Sequence, residues 1–281
     1  MKVAIVTDTT CDLQPEVVAR HRLEVVPLYI NIEGRSYLDG VHLSHQEFYT
    51  RLPGLRQPPT TSAPGLGTFV QCYERLAEAG AREIVSIHIS GALSNVVNVA
   101  HLAAEEFQRI PVHVLDSGQL SLGVGLIAVG AAQAAAAGAT SQEILQQARE
   151  FGERTYCFAG LSTLEYLRRS GRVSNLVAGV GNWLELKPLL KMHCGHVVME
   201  RVRTRKRALE RLVWLTRSLG VLEQLALVHT HDPDEVEHLR QMAIDLFPPQ
   251  QDLLQAEVTP VIGAHIGPGA VGFVAVRAAA T

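Results

Sequence analysis

The sequence predicts an α/β fold made of two α/β domains, the first built on a largely parallel sheet. Apolar runs alternate with helical periodicities through the first half of the chain, the pattern of successive βα units. Beyond about residue 152 the pattern changes and a second α/β unit follows. With 281 residues, each unit has enough chain to bury a core of its own. The expected division is 1–152 and 153–281.

Val3–Thr7 is the first expected strand, followed by a helix near Gln14–His21 and a strand at Leu23–Leu28. Tyr29 to Gly40 reads as a hairpin turning at Glu33-Gly34. A helix near Gln46–Leu52 precedes Gly54–Pro64, which Pro53, Pro58, Pro59 and Pro64 mark as loop. Loops of this kind are where binding groups are usually mounted. Helices Leu66–Glu78 and Ser94–Phe107 flank a strand at Ile84–Ile89. Strand Val112–Leu115 leads into helices Leu120–Ala137 and Ser141–Phe151, the latter opened by a Thr140/Ser141 cap. The second unit begins with strand Tyr156–Leu161 and an Arg-rich helix and turn at Leu164–Ser174. Strands near Leu186–Met192 and His196–Val202, helix Arg205–Leu219, strand Leu225–His229 and helix Pro233–Leu246 come next. Strands near Leu254–Thr259 and Gly272–Val276 close the chain.

Composition narrows the function classes. A formal net charge of −3 supplies no general attraction for nucleic acid or an anionic membrane. The four cysteines, Cys11, Cys72, Cys157 and Cys194, form no C-x-x-C pair, which suits a reducing cytosol and excludes a zinc ribbon. The opening apolar run ends at Asp8, too short for a signal peptide. Gly123–Ala139 is the most membrane-like window, but it is mostly Ala and Gly around Gln133 and reads as a buried, close-packed helix. The expectation is a cytoplasmic protein without stable membrane insertion.

Several motifs invite a chemical reading. Gly267-Pro268-Gly269-Ala270-Val271-Gly272 fits G-x-G-x-x-G, yet Phe273–Val276 after it is strand-like, whereas a dinucleotide site needs a helix there. What remains is a glycine turn beside His265 whose backbone can approach a small acid. Gly123-Val124-Gly125 enters a helix but lacks the acid a ribose would need, so close helix packing explains it better. Thr60-Thr61-Ser62 precedes a helix, and Ser90-Gly91-Ala92-Leu93-Ser94-Asn95 follows a strand, where open α/β sheets bind ligands. Both segments serve equally as helix caps or as hydroxyl donors to an anion. Among Arg168, Arg169 and Arg172, only Arg172 lies past the expected helix stop, free to meet a ligand or phosphate. The basic stretch from Arg201 to Arg211 reads instead as part of an amphipathic surface helix. His229 and His231 share a strand face without a third ligand at metal spacing. No G-x-S-x-G elbow or P-loop is present, so neither metal, cofactor nor a stand-alone hydrolase is the leading expectation.

Taken together, ordered motifs spanning nearly the whole chain resemble the DegV family of bacterial fatty-acid-binding proteins, which includes the lipid-binding subunit of fatty acid kinase. The motifs begin with Val6-Thr7-Asp8-Thr9-Thr10-Cys11-Asp12-Leu13, Thr61-Ser62-Ala63-Pro64, Ile87-His88-Ile89-Ser90 with Leu93-Ser94, and Asp116-Ser117. They continue through Leu164-Glu165-Tyr166-Leu167 to Gly171-Arg172, Lys187-Pro188, Val202-Arg203-Thr204-Arg205 and His265-Ile266-Gly267-Pro268-Gly269. The resemblance implies a long-chain fatty acid in a tunnel between the domains. Its carboxylate would be bound by Thr61 and Ser94, with Ser62 and Ser90 as neighbours, His265 completing the site, and Gly267 and Gly269 alongside. It also implies no activity alone. A partner, an ATP-using fatty acid kinase subunit, would convert the bound acid to an acyl phosphate with Arg172 assisting. Ala63, Gly65, Asn95 and Val96 depart from residues often found in the family, at positions bordering the expected head-group site. The competing readings are a stand-alone lipid carrier or regulator, and an independent hydrolase.

Overall fold

The computed structural model describes residues 2–171, 187–249 and 254–279. In chain order the first elements are β1 (Val3–Asp8), α1 (Pro15–His21), β2 (Glu24–Val26), β3 (Tyr29–Ile32), β4 (Arg35–Leu38), α2 (His45–Arg51), β5 (Thr60–Ser62), α3 (Leu66–Glu78), β6 (Glu83–His88), α4 (Val96–Glu106), β7 (Val112–Asp116), α5 (Leu122–Ala136) and α6 (Ser141–Glu153). They are followed by β8 (Thr155–Gly160), α7 (Glu165–Ser170), β9 (Lys187–His193), β10 (His196–Val202), α8 (Arg205–Arg217), β11 (Leu222–His229), α9 (Pro233–Met242), β12 (Leu254–Glu257), α10 (Pro260–Ile266) and β13 (Val271–Arg277).

A four-stranded sheet runs β2-β1-β6-β7, parallel throughout. A strand covered on both faces must be apolar at successive positions, and β1 is buried along its whole length. Its alternation decides the layers: Ala4 and Val6 pack with Phe69, Tyr73, Val96 and Ala100 of α3 and α4. Val3 and Ile5 pack with Ile127, Ala131 and Ile144 of α5 and α6 on the other side. Each fully buried side chain of this size contributes about 1.5–3 kcal/mol.

The second sheet is mixed and runs β10-β9-β8-β13-β11-β12. β13 pairs antiparallel with β8 and β11, and only β11 and β12 are parallel. Phe273 and Ala275 pack with Leu209 and Leu212 of α8 and Val236 and Leu239 of α9. Val274 and Val276, pointing the other way, join Leu122 and Leu126 of α5. Helix α5 is therefore packed by both sheets, which explains why it is apolar all round. It also explains its glycines: a Cβ on Gly125 would come within 2.5 Å of the Cys11 carbonyl oxygen. No helix among the described residues is long and apolar enough to cross a membrane.

Two segments differ from the sequence reading. Thr60–Ser62, read as loop, pairs with Asn31–Tyr29 and completes a three-stranded antiparallel sheet, β4-β3-β5. A strand this short, hemmed by prolines, has no room to display the alternation that marks strands. Pro260–Ile266, read as part of the link between closing strands, is helix α10. Proline at its first turn and glycine after its last residue are the signal that could have revealed it.

Candidate functional site

The site is built from local choices at the ends of strands. β5 carries Thr61 opposite Ile30 of β3, while α10 places His265 one residue before its end. These elements meet: Thr61 Oγ1 and His265 Nε2 are 2.7 Å apart. Neither Thr61 nor Ser62 caps α3, whose N-cap is Gly65 without a side-chain hydrogen bond. Helix capping therefore does not explain these hydroxyls.

The loop after β6 is drawn tight by its own backbone. The Ser90 carbonyl accepts from the N–H of Leu93 at 2.9 Å and of Ser94 at 3.1 Å, and the Ser90 N–H donates to the Gln119 carbonyl at 2.9 Å. Asp116 ties neighbouring turns together by accepting from Gly91 N–H at 3.0 Å and Gly118 N–H at 2.8 Å. The Ser94 hydroxyl accepts only a long 3.4 Å contact from the Val96 N–H, so its own proton remains available as a donor.

Thr61, Ser62, Ser94 and His265 all line one cavity of about 380 Å³, together with Thr10 and Asn95. The remaining wall is almost wholly apolar, with Leu93, Leu167, Leu190, Met192, Val197 and Ile262 among its members. Residues of the parallel sheet's loops, the three-stranded sheet, the second sheet and α10 all contribute. Among the described lining residues there is no Lys, Arg, Asp or Glu. Burial pushes the Cys157 thiol in this wall up to about 12, leaving it protonated and without nucleophilic character near neutrality.

Three residues expected at the site stand off the wall. Ser90 is buried, and its hydroxyl accepts from the Ala92 N–H at 3.3 Å. Gly267 and Gly269 have φ of +75° and +77°, and the spaces where their Cβ atoms would sit are filled by Tyr166 and by Ser162. The turn thus comes close to protein, not to the cavity. Arg172 lies outside the described residues.

A buried Asp-His-Ser chain links Asp8 and His88, each within one of the family-like motifs, to Ser86. Asp8 Oδ2 and His88 Nδ1 are 2.9 Å apart, and His88 Nε2 and Ser86 Oγ are 2.7 Å apart. All three are fully buried, and Ser86 also meets the Tyr73 hydroxyl at 3.0 Å. A nucleophile sealed from solvent cannot meet a substrate. This chain instead joins β1 to β6 beneath the loops of the site, and Asp8 also accepts from the Thr10 N–H and hydroxyl. His229 and His231, the candidate metal pair, serve elsewhere: His229 Nδ1 accepts from Asp232 N–H at 3.2 Å, and His231 meets Glu257 at 3.0 Å.

Comparison with known proteins bears on the family and the fold. A family model described as uncharacterised protein, DegV family, matches residues 2–278. The chain belongs to the DegV family. A DegV domain-containing protein of Streptomyces coelicolor is 38% identical over 275 residues, covering 97% of each chain. Among solved structures, a DegV family protein from Thermus thermophilus described as fatty acid binding is 33% identical, with a TM-score of 0.89 and coverage of 99% of this chain and 100% of that one. DegV of Bacillus subtilis, described as a fatty acid binding protein, is 27% identical, with a TM-score of 0.90 and the same coverage.

Proposed function

We propose that this DegV chain binds a long-chain fatty acid, with the carboxylate held by Thr61, Ser94 and His265 and the acyl chain in the apolar remainder of the cavity. The Thr61–His265 pair opening onto an apolar wall is the observation that carries this reading. A carboxylate leaving water must recover hydrogen bonds from the protein. With the ring proton assigned to Nε2, His265 donates to Thr61 Oγ1 and turns the Thr61 O–H toward the ligand. Ser94 supplies a second hydroxyl, with Ser62 beside the pair.

The acyl chain provides the larger driving force, at about 0.8 kcal/mol per buried methylene. The cavity's volume of about 380 Å³ falls in the range of ligand-sized pockets, about 300–1,000 Å³. The absence of a fixed cation in the described wall means that affinity rests on the tail and on neutral donors. Likeness to the fatty acid binding proteins of Thermus thermophilus and Bacillus subtilis supports the same reading.

The proposal extends to a role as the substrate-carrying subunit of a kinase, acting in the cytoplasm. A carboxylate oxygen of the held acid would attack the γ-phosphorus of ATP on the partner. The bond to the bridging oxygen would break, ADP would leave, and acyl phosphate would form. Arg172 is assigned the developing phosphoryl charge, so Arg172→Ala should retain lipid and lose acyl-phosphate formation in a reconstituted assay. The division into units 1–152 and 153–281 belongs to the same proposal, with the acid between them. Native mass spectrometry of freshly purified protein, followed by lipid extraction, tests the binding reading. A co-purifying long-chain acid is expected. Repeated extraction yielding none, together with no uptake of fluorescent fatty acid, would overturn it.

A further inference from the structure

Helix α10, which carries His265, is seated on two buried acids. Asp12 accepts a hydrogen bond from the Thr259 N–H at 2.9 Å and another from the Ser121 hydroxyl. Asp39, just past β4, is only 1% exposed, and neither of its carboxylate oxygens meets a donor in hydrogen-bond geometry. The Thr9 hydroxyl and the Val261 backbone are the polar groups that act on it. Tyr49 of α2 completes the seat: its hydroxyl donates to the Val258 carbonyl at 2.8 Å, and its ring occupies the space a side chain on Gly263 would need. Residues 258–263 therefore rest on Asp12, Asp39 and Tyr49, and from this segment and the turn after it project Val261, Ile262, His265 and Ile266 of the cavity wall.

The charges around this seat are mostly of one sign. Asp8 and Cys11 face it from β1 and the turn beyond, His45 and Tyr49 from α2, and Cys157 from β8. Glu257 faces it from β12, meeting His45 at 3.7 Å and His231 at 3.0 Å. The cavity shared by Asp12, Asp39, Glu257 and His45 has no Lys or Arg among its described lining residues. An ionised Asp39 there would have only the Thr9 hydroxyl and the Val261 backbone to draw on, both short of good hydrogen-bond geometry, and no cation in that lining, a costly state for a buried charge.

We propose that Asp39, opposed by the neighbouring Asp12, is a proton-operated latch on α10: its neutral form keeps the helix seated and His265 against Thr61, and its ionised form loosens the helix. Burial pushes both carboxyls up to about 7, assisted by like charge from Asp8 on Asp12 and from Asp12 and Asp8 on Asp39. The sign follows from linkage. A carboxyl whose folded pKa lies above its unfolded value favours the folded state most at acid pH, and loses that contribution as pH rises to the folded pKa. Seating should thus weaken up to about pH 7 and stay weak above it.

Hydrogen exchange on ligand-free protein reads the latch directly, independently of whether fatty acid binds. With intrinsic exchange rates divided out, protection of the amides of residues 258, 259 and 261–266 should fall about tenfold between about pH 5.5 and about pH 8. Asp39→Asn, a mimic of the neutral acid, should hold the acid-pH protection throughout. Asp12→Asn, which removes the opposing charge, should move the wild-type transition to lower pH and serves if Asp39→Asn does not fold. No loss in wild type, or the same loss in wild type and variants, overturns the latch. A second readout, which rests on the fatty-acid reading, is release of a bound fluorescent fatty acid, expected to accelerate with pH in wild type but not in Asp39→Asn. If no fatty acid binds, that reading fails while the exchange data still judge the latch.

Discussion

The contact between Thr61 and His265 joins residues 204 positions apart, and the sequence offered each separately, Thr61 as a helix cap or a donor to an anion and His265 as the neighbour of a glycine turn. Ser62 and Ser94 each read as either a helix cap or part of an anion site; Ser62 does not cap α3, whereas the Ser94 hydroxyl accepts a 3.4 Å contact from the Val96 N–H at the start of α4. Gly267 and Gly269 were not legible in the same way. Sequence reveals that a turn needs positive φ, but not that Tyr166 and Ser162 fill the space it opens. Thr61→Val should weaken fatty-acid binding by about 1–3 kcal/mol while the protein stays folded and melts cooperatively, with Thr61→Ser restoring most of the loss. Titration with a fluorescent fatty acid and a parallel thermal melt check both parts. The thiols offer a second test: Cys11, Cys72 and Cys157 are buried and Cys194 is exposed. A chromogenic disulfide reagent should therefore find one reactive thiol in the native protein and all four after unfolding. Rapid native reaction of more than one would contradict the packing described.

At the level of elements, the two-residue alternation in β1 and β13 determined which side chains face which helices, and this is why the layers were readable. β5 was missed because its partner strand, not its own composition, makes it a strand. α10 was missed because its seven residues are too few for a helical period to show. The Ala- and Gly-rich α5 was read as a close-packed buried helix, and its contact with the Cys11 carbonyl gives that reading a mechanism. Gly125→Ala should accordingly destabilise the fold by about 1–3 kcal/mol through overpacking. The Thr140–Glu143 capping box on α6 is complete, so Thr140→Ala should cost about 1 kcal/mol. Chemical denaturation measures both, and a neutral Gly125→Ala would show that the two segments separate freely.

For the molecule as a whole, α5 between two sheets and α10 against the three-stranded sheet bring distant segments around one cavity, an arrangement no local pattern could display. The same junction buries Asp12 and Asp39, which hold protons more tightly folded than unfolded. Their stabilising contribution should be complete below about pH 4 and should decline as pH rises to about 7. Glu200, held below the usual carboxylate range by Arg211 and Lys191, acts oppositely and only at the acid end. Calorimetry of wild type against an Asp12→Asn/Asp39→Asn variant isolates the buried pair: the variant should gain relative stability as pH rises through this window, and parallel curves would contradict the assignment. The claim on which the functional account rests is that neutral donors grip a carboxylate, and the most direct measurement compares a long-chain fatty acid with its methyl ester on wild type and Thr61→Val/Ser94→Ala. Wild type should prefer the acid, and the double variant should lose about tenfold or more of its acid affinity while changing little toward the ester and remaining folded. Unchanged acid affinity in the double variant, or equal losses for acid and ester, would place the carboxylate elsewhere.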